Sequence, residues 1–194
     1  MASFEDTFVR ADAADLGANW TGSSWSGEAS PSIVSNQCKA VGGYKSAYYS
    51  ALLLGADQEA TVDWIAGGPV YFNMRVQQPG GGTLDCYEFR YASAGACSIS
   101  KVVNETPASL ASTTGPTLVT GHQFRFRCVG TSLSQWYRVP GGDWTLLNET
   151  TDATVTGAGY AGMELPANAI LSRFSACDVL PGKSLLLGVD GIAA

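Results

Sequence analysis

The segment GHQFRFRCVGTSLSQWYRV, residues 121–139, contains the clearest structural pattern in this chain. Two alternating segments flank Gly130-Thr131, which suits the two-residue loop of an antiparallel hairpin and places Trp136 opposite Arg125. Successive side chains of a strand point to opposite faces of the sheet. One face of the predicted hairpin is therefore mostly apolar, with His122, Phe124, Phe126, Cys128, Leu133, Gln135, Tyr137 and Val139. The other face is polar, with Gln123, Arg125, Arg127, Ser132, Ser134, Trp136 and Arg138.

The rest of the chain repeats this pattern between glycine- and proline-rich turns. The 194 residues include 23 glycines, and 45% of them are hydrophobic while 14% are charged, a composition that suits one domain with a sizeable core. We predict a first strand at residues 4–8. Further strands are predicted near residues 31–35, 37–41, 46–54, 58–65, 69–78, 83–91, 97–103, 121–129, 132–139, 143–148 and 168–177. No long helix is predicted.

This pattern predicts an all-β fold in which two antiparallel sheets pack face to face as a jelly-roll sandwich. The sandwich is expected to span residues 1–178, and residues 179–194 form a short C-terminal tail. Pro181 ends the last predicted strand. The leucines that follow, Leu185, Leu186 and Leu187, are expected either to pack on their own domain or to contact a neighbouring subunit in a homo-oligomer.

The charge and the termini exclude several classes of partner. Acidic residues outnumber Lys and Arg by 17 to 11, and this net charge of -6 argues against a nucleic-acid binder. The start of the chain lacks the pattern of a secretory signal, and no apolar run is long enough to insert in a membrane. We therefore expect synthesis in the cytoplasm. The five cysteines include no CxxC pair, so buried apolar side chains are expected rather than a zinc site.

A family resemblance covers most of the chain. The opening F-x-D-x-F-x-R-A-D of residues 4–12, followed by L-G-x-x-W at residues 16–20, resembles the start of concanavalin A-like, laminin-G-like jelly-roll domains. Such openings are frequent in bacteriophage virion proteins. Further matches are YEFRYASAGACSISKVVN at residues 87–104, FRFRCVGTSLSQWYRV at 124–139, Gly-Tyr-Ala-Gly at 159–162 and RFSACDV at 173–179.

The resemblance implies a non-enzymatic virion structural protein, either a minor tail or tail-tip protein or a capsid decoration protein. Such a protein would reside in the virion, contact other virion proteins and adhere to a host-surface carbohydrate. The same sandwich hosts lectins and glycosidases, so a free carbohydrate-binding lectin and a glycoside hydrolase remain alternatives.

Two patterns bear on catalysis. The sequence GAGYAG at residues 157–162 matches a dinucleotide-binding motif, but Pro166 prevents the helix that this motif requires, so a glycine-rich turn before a strand is expected. Asp57, Glu59 and Asp63 share one face of a predicted strand and are the candidates for a glycosidase. Their alternatives are a solvated strand face or a calcium ligand cluster; no other cofactor is predicted. The single histidine, His122, falls on the apolar face and is not expected to act as a base.

The remaining candidate is a binding surface. Its residues are Arg125, Arg127, Trp136 and Arg138, which lie on the polar face of the predicted hairpin. Guanidinium groups beside an indole suit an acidic partner, either an anionic glycan or another virion protein. An ordinary solvated face is the alternative, and the sequence leaves both interpretations open.

Overall fold

A computed structural model describes residues 1–22, 25, 28–79, 82–92 and 94–180. The leucines of the expected subunit contact, Leu185, Leu186 and Leu187, lie outside these residues, so the prediction for the tail stays a prediction. Within the described ranges there is no helix, and so none long and apolar enough to cross a membrane. The described strands are Ser3–Asp6 (β1), Trp20–Gly22 (β2), Ser32–Ile33 (β3), Cys38–Lys39 (β4), Lys45–Tyr49 (β5), Gln58–Ala66 (β6), Val70–Gln77 (β7), Asp85–Tyr91 (β8), Ala96–Val103 (β9), Thr106–Thr114 (β10), Gln123–Val129 (β11), Ser132–Arg138 (β12), Thr145–Thr151 (β13), Tyr160–Leu165 (β14) and Ile170–Asp178 (β15).

These strands form two sheets. The first sheet has eight strands in the order β13-β12-β11-β6-β15-β4-β3, with β1 also paired to β15. The second sheet has seven strands in the order β10-β9-β8-β7-β14-β5-β2. The pairings between these strands are antiparallel. The predicted all-β, two-sheet antiparallel sandwich is confirmed.

Alternating side chains of the two sheets meet in the main hydrophobic core. Phe126 of β11 stacks on Phe72 of β7 with ring centroids 4.7 Å apart, and Phe124 lies 4.6 Å from Tyr91 of β8. All four rings are fully buried. The register of the β11–β12 hairpin is the predicted one throughout, with Val129 opposite Ser132 and the loop at Gly130 and Thr131.

Three strands were not predicted, and their sequences explain why. The segment TPASLASTT of β10 is polar and mostly exposed, because it lies at the edge of the second sheet, where Pro107 removes no inner hydrogen bond. The strands β2 and β14 are short, and β14 lies between a glycine-rich turn and Pro166. The expected turn before a strand at residues 157–162 is confirmed, since β14 begins at Tyr160.

Arg75 departs from the simple alternation of β7. It has a positive φ of 52° in an irregularity between Met74 and Gln77. Its guanidinium group is 1% exposed and donates hydrogen bonds to the carbonyl oxygens of Ala56, Val155 and Gly130. This arginine, which strict alternation along β7 would place on the outer face, therefore joins three loops at one end of the sandwich.

The five cysteines are free thiols. Four of them, Cys38, Cys86, Cys97 and Cys128, are buried. In the β8–β9 hairpin, Cys86 faces Val102 and Cys97 faces Tyr91, so these two cysteines are not paired with each other. These four cysteines therefore serve as small buried apolar side chains.

Candidate functional site

The outer face of the first sheet contains a cleft. Strand register brings Arg173 of β15, Asp63 of β6, Gln123 of β11 and Arg138 of β12 into one row across the sheet. The neighbouring row has the small side chains of Ser175 and Thr61, followed by Arg125 and Trp136. Small residues between long ones leave a depression of about 410 Å³, lined by Ser3, Phe4, Glu5, Glu59, Thr61, Arg125, Arg138, Trp144, Arg173, Ser175, Ala176 and Cys177.

Trp144 forms the aromatic wall of this cleft. It lies immediately before β13, after a turn at residues 140–142 in which Gly141 has a φ of 72°. The Arg125 guanidinium carbon lies 4.1 Å from the centroid of the Trp144 ring, and that of Arg138 lies 4.6 Å from it. Both distances are within the range of cation–π attraction, so the indole orders two arginines at the rim of the cleft.

Glu59 forms ion pairs with two arginines of this sheet face, Arg125 and Arg127. Its carboxylate lies 3.0 Å from Nε of Arg127 and 3.6 Å from Nε of Arg125, and only 4% of the residue is exposed. Burial raises the pKa of Glu59, and the two guanidinium groups lower it against that effect. Burial also lowers the pKa of Arg125. Glu59 thus acts as a positioning residue for Arg125 and Arg127.

A second ionic network forms the far side of the cleft. Arg173 donates from Nε and Nη2 to the two oxygens of Asp63, at 3.0 and 2.9 Å. Gln123 donates to Asp63 at 2.7 Å and accepts from Nε of Arg138 at 2.5 Å. This chain of charge-assisted contacts crosses four strands, and it holds Arg138 and Arg173 in fixed orientations.

The structure brings only part of the sequence-predicted surface together. Arg125 and Arg138 line the cleft, whereas Arg127 pairs with Glu59 outside the lining. Trp136 lies opposite Arg125 as predicted, but its Nε1 donates to Ser134 and it does not line the cleft. The arginines contact Trp144 instead. The prediction of Trp136 as the aromatic partner is therefore corrected, since cross-strand register fixes neighbouring backbone positions and not the path of the following loop.

Most residues of the cleft lining were missed by sequence reasoning, and the two with the largest side chains among these are Trp144 and Arg173. A signal for Trp144 existed in the turn sequence Pro-Gly-Gly at residues 140–142, which returns the chain beside the end of β12. The signal for Arg173 was its parity on β15, the same as that of Ser175 and Cys177.

The three carboxylates predicted as glycosidase candidates do not converge. Glu59 and Asp63 are four residues apart on β6, about 13 Å along an extended strand, and each is held by its own arginine. Retaining glycosidases place their two carboxyl groups about 5–5.5 Å apart. Asp57 lies before β6, where it accepts a hydrogen bond of 2.7 Å from the Gly130 amide in the β11–β12 turn.

The other titratable candidates are also accounted for. His122 is 4% exposed, as its parity predicted, and its Nδ1 accepts from the Val119 amide at 3.4 Å. Burial lowers the pKa of His122. Among the residues that the structure describes, no three His, Cys, Asp or Glu side chains converge as metal ligands.

Comparison with known proteins identifies the fold. No family model matches the chain, and no curated protein matches its sequence. Solved structures do match: the carbohydrate-binding module CBM66 from Bacillus subtilis is 14% identical, with 85% of this chain and 96% of that chain covered at a TM-score of 0.55. The exoplasmic/lumenal domain of VIP36, in its Ca²⁺/Man3GlcNAc-bound form, is 11% identical, with 86% and 85% covered at a TM-score of 0.59.

A prokaryotic β-1,3-1,4-glucanase (lichenase) derived from a mouse hindgut metagenome is 10% identical, with 92% of this chain and 100% of that chain covered at a TM-score of 0.58. The fold is the concanavalin A-like jelly roll. Identities this low establish the concanavalin A-like fold alone. The part of the expected resemblance that pointed to bacteriophage virion proteins receives no support from these comparisons.

Proposed function

We propose that this protein is a non-catalytic, lectin-like carbohydrate-binding module. Its ligand is an acidic saccharide, which lies against Trp144 in the cleft of the first sheet. The observation that carries this proposal is the contact of two arginines with one indole at the rim of a 410 Å³ cleft. Sugar rings pack on aromatic faces, and guanidinium groups bind carboxylates in a fork geometry.

The two arginines retain capacity for a ligand. Arg125 approaches Glu59 through Nε, and Arg138 donates to Gln123 through Nε. These contacts use one nitrogen of each guanidinium group, which carries five N–H donors in all. The terminal amino groups then bind the carboxylate or sulfate of the saccharide, while Thr61 and Ser175 at the floor of the cleft offer hydroxyl groups.

The fold neighbours support binding of carbohydrate in general. One of them is a carbohydrate-binding module, and another holds Man3GlcNAc together with Ca²⁺. The third is a glucanase, which makes a hydrolase the rival function. The separation of Glu59 from Asp63 along β6, and the arginine that holds each of them, favour a binding role over hydrolysis.

The virion role inferred from sequence stays a hypothesis for the biological setting of this module. It comprises location in the virion, contact with other virion proteins, self-association through the C-terminal leucines and adhesion to a host-surface glycan. Adhesion to a host-surface glycan is compatible with the saccharide ligand that we propose for the cleft. Location in the virion, contact with other virion proteins and self-association are separate from ligand binding in the cleft.

The proposal predicts selective retention on a glycan array that includes neutral and uronic-acid-containing glycans. Wild-type protein should be retained on the acidic glycans, and Trp144→Ala should weaken binding by about tenfold, because the indole both contacts the sugar and orders Arg125 and Arg138. Trp136→Ala is the matched control, since Trp136 lies on the same sheet face outside the cleft lining. Equal binding by wild type and Trp144→Ala would refute this site, and release of reducing ends by the wild type would favour the hydrolase.

A further inference from the structure

Arg173 places a positive charge at the end of the cleft that lies away from Trp144. It belongs to β15 and Arg125 belongs to β11, with strand β6 between them. Neighbouring strands are about 4.8 Å apart, so the backbones of these two arginines are separated by roughly 10 Å across the sheet. Ser175 and Thr61 lie in the row between them and line the floor. The cleft therefore has guanidinium groups at both ends and hydroxyl groups in the middle.

The guanidinium group of Arg173 has two partners of different strength. Asp63 accepts hydrogen bonds from Nε and Nη2, the two-point contact that holds the group in place. The remaining nitrogen, Nη1, lies 3.5 Å from a carboxylate oxygen of Glu5, and 25% of the Arg173 side chain is exposed. A guanidinium group binds carboxylates along more than one edge, because its five N–H donors lie in one plane. Glu5 is thus the carboxylate at the second edge of Arg173 in the ligand-free protein.

Glu5 lies at the end of the cleft floor. It is part of β1, directly opposite Ser175, and the same row continues through Thr61 to Arg125. Its side chain is 53% exposed. Exposed ion pairs contribute little to stability, because water screens the charges and the long side chains lose freedom when they pair. The carboxylate of a ligand can therefore replace that of Glu5 at Arg173.

The charges of the lining determine which ligands make this replacement. Three arginines line the cleft with two glutamates, of which Glu59 is buried and Glu5 is exposed. A ligand with one acid group, bound to Arg125 and Arg138, leaves Glu5 beside Arg173. A second acid group on the same ligand is held close to Arg173 once the first is bound, so it competes with Glu5 at a high effective concentration.

We propose that the ligand of this cleft is an oligosaccharide with acid groups on two of its residues, and that Glu5 determines this specificity. One acid group binds Arg125 and Arg138 beside Trp144, and the other replaces Glu5 at Nη1 of Arg173. This inference rests on the proposed function, because it concerns the same cleft. It adds a second anion subsite and a residue that occupies that subsite until the ligand binds.

The test is a ¹⁵N NMR titration of the full chain at low salt with trigalacturonate, which has an acid group on each residue, and with galacturonate, which has one. In the wild type, the Nε–H signal of Arg173 should shift with trigalacturonate and not with galacturonate. Glu5→Gln removes the competing charge and should strengthen trigalacturonate binding about fivefold, while the affinity for galacturonate should change by less than about twofold.

Glu149→Gln is the matched control, since Glu149 is an exposed glutamate on the same sheet face, opposite Ser134 and outside the cleft lining. Its trigalacturonate affinity should equal that of the wild type. If Glu149→Gln strengthened binding as much as Glu5→Gln, net charge would explain the effect and the role of Glu5 would be wrong.

The titration also separates this inference from the proposed function. Equal affinity of wild type and Glu5→Gln for trigalacturonate, with the Trp144 indole signal still shifting, would overturn the role of Glu5 and leave the proposed function standing. Binding of neither saccharide by either protein would overturn both.

Discussion

Buried carboxyl groups have opposite surroundings on the two outer faces. Glu59 lies between Arg125 and Arg127, which offset the cost of its burial. Glu164 has carboxylates as its charged neighbours, so that burial and repulsion act in the same direction. The first arrangement holds two guanidinium groups beside one carboxylate. The second arrangement destabilises the folded protein whenever the carboxyl group is ionised.

The pH dependence of stability follows from Glu164. Its folded-state pKa of about 8 lies above the ordinary 4.5, so the folded chain keeps a proton that the unfolded chain releases, and stability falls as pH rises from about 4.5 to about 8. Glu164→Gln removes this loss. Urea denaturation should show the variant more stable than wild type by about 2–4 kcal/mol at about pH 9 and by less than about 1 kcal/mol at about pH 5. A stability difference that does not change with pH would show that Glu164 does not titrate in this way.

Among the elements, the β11–β12 hairpin was predicted in full and the loop after it was not. Alternation fixes which residues of a strand face the core, and Gly130-Thr131 fixes the register, so both followed from sequence. The position of Trp144 beside the arginines was not predicted, because it depends on the turn at residues 140–142, for which alternation gives no information. Strand β10 was not predicted, because its position at the edge of the sheet allows a polar sequence without hydrophobic alternation.

The same hairpin gives Asp57 a structural role. Its carboxylate accepts from the Gly130 amide in the turn, where Gly130 has a φ of 56°. Asp57→Ala should therefore lower the free energy of unfolding by about 1–2 kcal/mol in chemical denaturation, with no effect on glycan retention. Asp57→Asn keeps an acceptor oxygen and should lose less. Weaker glycan retention by Asp57→Ala, at unchanged stability, would instead place Asp57 in a binding site.

At the level of the whole molecule, the sandwich has two outer faces of different chemistry. Arginines 125, 138 and 173 line the cleft of the first sheet, whereas Glu88 and Glu164 lie on the second. Composition and alternation were sufficient to predict the two antiparallel sheets and the residues between them. They did not predict the burial of Glu88, Asn73 and Arg75, because burial of an outward residue depends on loops and strands distant in sequence.

In the proposed function, the cleft of the first sheet holds an acidic saccharide against Trp144. The most direct measurement is a ¹⁵N NMR titration of wild-type protein with trigalacturonate at low salt. Binding in the cleft should shift the indole N–H signal of Trp144 together with the Nε–H signals of Arg125 and Arg138, and added salt should weaken the binding. Saturable binding that leaves the Trp144 indole unshifted, or no binding at millimolar concentrations of trigalacturonate, would contradict it.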